Sequence, residues 1–482
     1  MSEDRGTLDW SYGEVNQDVV LQLMDGLTRA GQKGEAMPAV AARWRFSGGK
    51  NPEWVFELRK DARWSDGESV CAQHFIDAWA RVLSPRFASP YAHYLFDVKN
   101  AEGFHAGRIK DFTNVGLRAE GCLRLRVALE RPAVFFPALA SSWVLFPVRT
   151  DLIAKHGMAW TRAENLAVTG PYVLERWDRD TRFVLRRNPR YWGAPAKEER
   201  LEGVVVSDDA TALMLFKKGK LDWIRDLPFL EKKNLSKLPE YRLSPAFVEY
   251  HLGFRFSGGS AGDANFTREE RCALSLALDT REIPKFLGGG EIPAGSLVPE
   301  QLGGRKTPRF DPARAKALWR SASRLVGSHR LEFYAKDVHI PLMEWIQQQW
   351  KKNLGVEVKL ARTEGKTYWA RLQSSPPPLF LSGVTAACAH PFNFLSELMS
   401  STSANWGRFS SKKYDELALK TAAIREDAAR ANAVAAAEKL LVDEECAVIP
   451  LYFRQTASLV SGRWQGFFMN PLARVNLKDV YR

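Results

Sequence analysis

Gly258-Gly259-Ser260-Ala261-Gly262 spells a nucleophile motif, G-x-S-x-G. That motif works when a strand feeds the serine straight into a helix, so that a strained turn presents the hydroxyl to a base. A strand pattern does precede it, Leu252 to Phe256, but Asp263, Ala264, Asn265 and Phe266 intervene before Thr267 can cap the next helix. The spacing therefore predicts a polar loop and no acyl transfer. Gly288-Gly289-Gly290 could cradle a phosphate, yet Glu291-Ile292-Pro293 follows in place of the Gly-Lys-Ser/Thr that such a loop requires, so it reads as a turn. The eight histidines, His74 and His93 among them, never fall at H-x-x-x-H spacing. Cys71, Cys122, Cys272, Cys388 and Cys446 form no C-x-x-C pair and no zinc-spaced cluster with histidine. Five is odd, so at least one thiol stays unpaired, and spacing alone does not say whether the others bond. No metal, cofactor or catalytic residue is implied, and the chain reads as a non-enzyme.

The elements that would position a binding site are clearer than any chemistry. Trp54, Phe56 and Leu58 alternate with Val55, Glu57 and Arg59, the period of a half-buried strand. Ser65-Asp66-Gly67 makes a turn, and Phe75, Ile76, Trp79, Val82 and Leu83 recur at helical spacing until Ser84-Pro85. Val173 to Trp177 and Arg182 to Arg186 read as strands, and Ala210 to Lys218 as a helix stopped by Gly219. Thr267 and Glu270 form a capping box ahead of Leu274, Ala277 and Leu278. Leu342, Trp345, Ile346 and Gln349 lie on an amphipathic helix ending at Gly355, before an alternating strand from Val356 to Leu360. Ala428 to Leu441 is helical by propensity. Strands and helices alternate, so the expected class is α/β, mixed α+β.

With 482 residues the chain exceeds what one core usually holds, about 250 to 300, and two or three domains are expected. The net charge of +13 comes without any long basic run, and the sixteen tryptophans do not interleave with basic residues in a stripe that would suit nucleic acid. No window of about 18 apolar residues occurs, and the amino terminus lacks the basic and apolar regions of a signal peptide.

The stretch Trp54 to Pro85 resembles the extracytoplasmic solute-binding proteins of family 5, the oligopeptide and dipeptide binders of peptide ABC importers. Further landmarks follow in the family's order: DGLT at Asp25 to Thr28, SPY at Ser89 to Tyr91, TGPYVL at Thr169 to Leu174, RNPRYWG at Arg187 to Gly193 and AVIPLYF at Ala447 to Phe453. The resemblance implies a two-lobed clamp with an extra inserted small domain: 1–26, 149–252 and 452–482 as a discontinuous main lobe, 27–148 as the small domain, 253–451 as the second lobe. Hinge closure would hold a peptide or peptide-like small molecule between the lobes and hand it to permease subunits. A periplasmic or otherwise extracytoplasmic monomer is implied, with no nucleic-acid partner. Thr7-Leu8-Asp9 resembles the segment after the family's first strand, so the start is expected to be trimmed. The alternative, motivated by the missing export signal and the charge, is a cytoplasmic ligand sensor built on the same domain.

Peptide binders of this family hold the ligand's amine with an aspartate in G-W-x-A-D-Y-x-x-P. Here the loop runs from Gly383 to Pro391, with Val384 in the tryptophan's place and Ala387 in the aspartate's. Leu372 and Leu381 stand where arginines would meet the carboxylate end, with Arg371 beside the first. Glu14, Tyr91 and His339 fall on ligand-contacting positions, and His251 and Arg454 replace pocket tyrosines. The disulfide of some relatives would join Val248 and Thr385 and is therefore absent. These exchanges make the site less suited to a cation and more suited to a neutral or acidic ligand.

Overall fold

Alternation along Trp54–Leu58 puts Trp54, Phe56 and Leu58 into a core, and the strand Glu53–Leu58 is central to a four-stranded antiparallel sheet. Its neighbours are Ala41–Ser47 and Arg124–Ala128, the latter paired in turn with Leu117–Ala119. The helix Ala72–Leu83 buries Phe75, Ile76, Trp79, Val82 and Leu83. Trp79 donates its indole N–H to the Leu145 carbonyl at 3.0 Å, so the ring is buried without stranding its one donor. Cys71 precedes this helix and is bonded to Cys122, Cα to Cα 4.4 Å. The computed structural model describes residues 7–12, 15–225, 227–257, 265–288, 290–322, 330–336 and 338–482. The chain divides into two compact units, the first comprising Met1–Pro228, Lys237–Ser244 and Ala457–Arg482, the second Phe229–Ser236 and Pro245–Thr456. The first also holds a three-stranded antiparallel sheet of Tyr172–Asp178, Arg182–Arg187 and Arg200–Val204.

The second unit is built on a mixed sheet. Tyr241–Phe254 pairs antiparallel with Leu379–Thr385, which pairs parallel with Arg330–Tyr334, itself parallel to Lys359–Thr363. On its other side Tyr241–Phe254 neighbours Val448–Val460, whose far edge takes the short strand Ile292–Pro293. Leu252, Phe254, Leu331, Phe333, Leu379 and Leu381 pack with Leu342, Ile346 and Trp350 of the helix His339–Leu354. Gly355, at φ 71°, ends that helix in the left-handed region where a side chain would be strained. Thr267 caps Arg268–Leu276: its hydroxyl accepts from Glu270 N–H at 3.2 Å while Glu270 accepts from Thr267 N–H at 2.9 Å. Cys272 of this helix is bonded to Cys446, Cα to Cα 5.2 Å, and Cys388 is a buried thiol outside any disulfide, its Sγ accepting from Asn393 Nδ2 at 3.2 Å. The pairing left open by the sequence is thus two bridges and one thiol.

Two local expectations need correction. The strand after Gly355 is Lys359–Thr363, not Val356 to Leu360: Val356 and Val358 are buried, so their alternation marks packing ahead of the ladder. The alanine-rich helix is α-helical only from Asp427 to Glu438, and Lys439–Glu444 winds on as a π-helical turn. Of the glycine triplet, Gly288 caps the helix Ile283–Leu287 at φ 61°, while Gly289 lies outside the described residues. So does the whole of Gly258 to Gly262.

Candidate ligand-binding site

Strand register decides which side chains meet. Val248 lies directly opposite Thr385, Tyr250 opposite Gly383 and Leu252 opposite Leu381, so these pairs share one face of the sheet. Glu249, His251 and Gly253, opposite Val384, Ser382 and Phe380, share the other. The first face is core at Leu252 and Leu381, both at 0% exposure, and opens toward solvent at Gly383 and Thr385. Tyr250 stands at that transition, half-buried, with its ring stacked on Tyr452 at 4.9 Å across one ladder. Across the other ladder lies the bare backbone of Gly383. A Cβ there would come within 2.5 Å of the Glu249 carbonyl and 3.3 Å of the Tyr250 ring, so only glycine lets the two strands approach this closely.

His339 opens its helix beneath this face. Its ring lies 4.4 Å from Tyr334 and 5.7 Å from Tyr250, and Nδ1 is 3.4 Å from the Tyr334 carbonyl. The residue is at 1% exposure, and burial, aided by Lys336, lowers its pKa to about 4, so the imidazole is neutral at ordinary pH. The Tyr334 hydroxyl donates toward that of Tyr250 at 3.4 Å, and the Trp369 ring, 38% exposed, flanks Tyr334 at 5.4 Å. Arg454, two residues beyond Tyr452 on the same strand, is exposed and has no ion pair among the described residues. Its positive charge acts on the Tyr452 and Tyr334 hydroxyls.

His251 is separated from this group. It faces the opposite side of the sheet, buried, with Nδ1 2.7 Å from Oε2 of Glu249. Glu249 is closed to solvent; burial raises its pKa, opposed by the imidazole, and Oε1 has no hydrogen-bond partner among the described residues. Beside the pair lies a cavity of about 20 Å³ lined by His251, Ser382, Glu397, Asn405 and Trp406, room for one water. Ala387 is half-buried at the end of the Leu379–Thr385 strand, and Asn393 Oδ1 accepts both its N–H, at 3.0 Å, and that of Cys388, at 3.3 Å. Leu372 and Leu381 are core residues, and Arg371 is paired with Glu332 at 3.2 Å. Tyr91 belongs to the first unit, where its ring meets Trp143 edge-on at 5.3 Å. Glu14 lies outside the described residues.

Sequence reasoning missed Tyr250, Tyr452, Tyr334 and Trp369, and it missed Glu249 as the partner of His251. The signal for Glu249 was present: residues i and i+2 of a strand face the same way. The tyrosines lie on strands far apart in sequence, and only the sheet order joins them.

The family model of the bacterial extracellular solute-binding proteins, family 5, matches residues 35–406. The chain belongs to that family. Among curated relatives of this family-5 protein, "Probable deoxycholate-binding periplasmic protein YgiS" of Escherichia coli is 31% identical over 99% of this chain and 92% of its own length. The periplasmic oligopeptide-binding protein OppA of Salmonella typhimurium is 29% identical over 97% of this chain and 89% of its own. The solved structure of the Escherichia coli murein tripeptide-binding protein MppA superposes with a TM-score of 0.82 at 26% identity, covering 100% of this chain and 97% of that one. The relatives are binding proteins and not hydrolases, which answers the G-x-S-x-G motif. They are periplasmic, so an extracytoplasmic location is supported and the cytoplasmic sensor is not favoured. Val248 and Thr385, which stand at the bridge positions of some oligopeptide binders, are ladder partners here. This chain's own bridges lie elsewhere.

Proposed function

We propose that this family-5 protein is the solute-binding component of an ABC importer and takes a peptide-like ligand whose amine is blocked or absent. The observation that carries the reading is Ala387, an uncharged residue at the position of the family's amine-binding aspartate, with its own N–H already committed to Asn393. Glu249, a few residues away across the ladder, offers no substitute, because it is closed to solvent and bonded to His251. A relative named for deoxycholate, a steroid acid without any amine, supports the same reading. Tyr91, His251, His339, Gly383, Ala387 and Arg454, with Glu14, are proposed to line or support the site. The lobe boundaries expected from the sequence and closure around the ligand belong to the proposal as well.

A buried ammonium without a carboxylate forgoes roughly 1.5 to 3 kcal/mol, about one to two decades in affinity. Calorimetry with di- to pentapeptides and their N-acetylated counterparts is the test. Free peptides should bind weakly or not at all, acetylated ones should be tolerated, and Ala387→Asp should create affinity for the free forms. Small-angle scattering on the same samples should show contraction at saturation. Tight binding of free peptides that acetylation abolishes, unaffected by Ala387→Asp, would overturn the reading and put another acid in the anchor's role.

A further inference from the structure

Two carboxyls and one imidazole meet in the second unit around the cavity that has room for a single water. His251 Nδ1 is committed to Glu249 Oε2 at 2.7 Å, so Nε2 is the ring nitrogen left for the cavity, which His251 lines together with Ser382 and Glu397. Glu397 is half-buried as a residue, with its carboxyl deep; burial raises it to about 7, opposed by His251. The other walls bring no further charge: Phe254 and Val384 from the strands, Asn405 and Trp406 from the segment 399–409, and Val448. Tyr414, on the helix Lys412–Ala423, feels Glu397 but donates its hydroxyl to the Leu395 carbonyl at 2.7 Å. His251 is therefore the charged group that acts on both carboxyls. The segment 399–409 closes this site and is held by few bonds. Asn405 pins it, with Nδ2 donating to the Met399 and Phe409 carbonyls at 3.2 and 2.6 Å and Oδ1 accepting from Phe409 N–H at 3.0 Å. The Gly407 carbonyl accepts from Phe256 N–H at 2.7 Å, and a Cβ on Gly407 would fall 2.1 Å from the Phe254 carbonyl, so the segment lies directly on the end of the strand that carries His251.

From this geometry we infer that Glu249, His251 and Glu397 form a proton-operated latch, which keeps the segment 399–409 seated while Glu397 is protonated and loosens it when Glu397 ionises. Protonated, Glu397 can donate toward the Ser382 hydroxyl or the cavity water, and it adds no charge. Ionised, it places a second carboxylate beside Glu249 and His251, where one water cannot solvate it, and release of the segment admits more. Linkage fixes the direction. The seated carboxyl gives up its proton near 7 and one open to water near 4.5, so the preference for the seated form is complete below pH 4.5 and is lost as pH rises through 7. An extracytoplasmic protein meets the pH of its surroundings, and the latch reads it. Asn393, which holds the Ala387 N–H, lies in the turn Phe392–Leu395 that runs straight into Ser396–Leu398, the turn that carries Glu397.

Hydrogen exchange of the full chain, read by mass spectrometry and corrected for the intrinsic pH dependence of exchange, is the test. From pH 5 to pH 8 the opening of 399–409 should become about ten- to a hundredfold more frequent, the factor that linkage gives a carboxyl falling from about 7 to 4.5 on opening. Glu397→Gln, neutral at every pH, should hold the segment's protection level across the range. Glu438→Gln, at another buried acid raised to about 7, should leave the wild-type trend of that segment in place. Because Glu397→Gln can fail to fold, the ring signals of histidine in the wild-type chain give a second reading. The His251 signal, assigned by its loss in His251→Gln, should move with the ionisation of Glu397, midpoint near pH 7. Protection that is unchanged from pH 5 to 8, a trend that survives Glu397→Gln or vanishes in Glu438→Gln, or a His251 signal flat across that range overturns the inference.

Discussion

His339 and Glu438 are nearly closed to solvent, and burial moves them in opposite directions. His339 is lowered to about 4, so between the ordinary imidazole value near 6.5 and pH 4 the unfolded chain holds a proton that the folded chain refuses. Its contribution is complete above pH 6.5 and is lost as pH falls through that window. Glu438 is raised to about 7, chiefly by burial, so the folded chain keeps a proton that the unfolded chain gives up from about pH 4.5 upward. That contribution is complete below 4.5 and is lost as pH rises to 7. The two slopes oppose each other between 4.5 and 6.5, and stability should fall off outside that range on both sides. Urea midpoints across pH 4 to 8 check this: Glu438→Gln should gain about 1 to 3 kcal/mol at pH 8 relative to pH 5. A variant profile parallel to the wild type would mean that Glu438 is ionised in the fold. Single residues were legible in the sequence where a motif named their neighbours, as for Ala387 and His339. They were hidden where the contact is a stack between strands, as for Tyr250 and Tyr452.

Among the elements, the helix Arg268–Leu276 depends most visibly on a local signal. Thr267→Ala leaves Glu270 N–H without its acceptor, and should cost about 1 kcal/mol in the denaturant midpoint with an unchanged slope. A slope change would show that the substitution had altered more than the cap. The strand and helix between Trp54 and Leu83 were legible for a similar reason, since period and stop signals act within a dozen residues. Local pattern misled at Val356 and Val358. Alternation reports which side chains are buried, but a ladder also needs a partner strand, and pairing with Arg330–Tyr334 begins only at Lys359. The same limit hid both disulfides, whose members lie 51 and 174 residues apart.

At the scale of the molecule, each bridge closes within one compact unit, Cys71–Cys122 in the first and Cys272–Cys446 in the second. Cross-linking over 174 residues removes loop entropy from the unfolded chain worth about 5 kcal/mol in the chain-entropy model. Replacing both Cys272 and Cys446 with serine should therefore lower the calorimetric transition of the second unit and leave that of the first in place. A single transition that shifts as a whole would mean that the units unfold together. The path of the chain carries a further consequence. Apart from Phe229–Ser236, the second unit is one continuous stretch, entered after Ser244 and left after Thr456, and both joints fall inside neighbouring strands of one sheet. Of the residues proposed to line or support the site, His251, His339, Gly383, Ala387 and Arg454 lie between those joints, and Glu14 and Tyr91 lie outside them. Most of the proposed cargo preference would thus be inherited as a cassette: in a lineage of importers, exchange of a single gene segment would re-equip the larger part of a receptor's site for a new nutrient while its remaining frame stayed as it was.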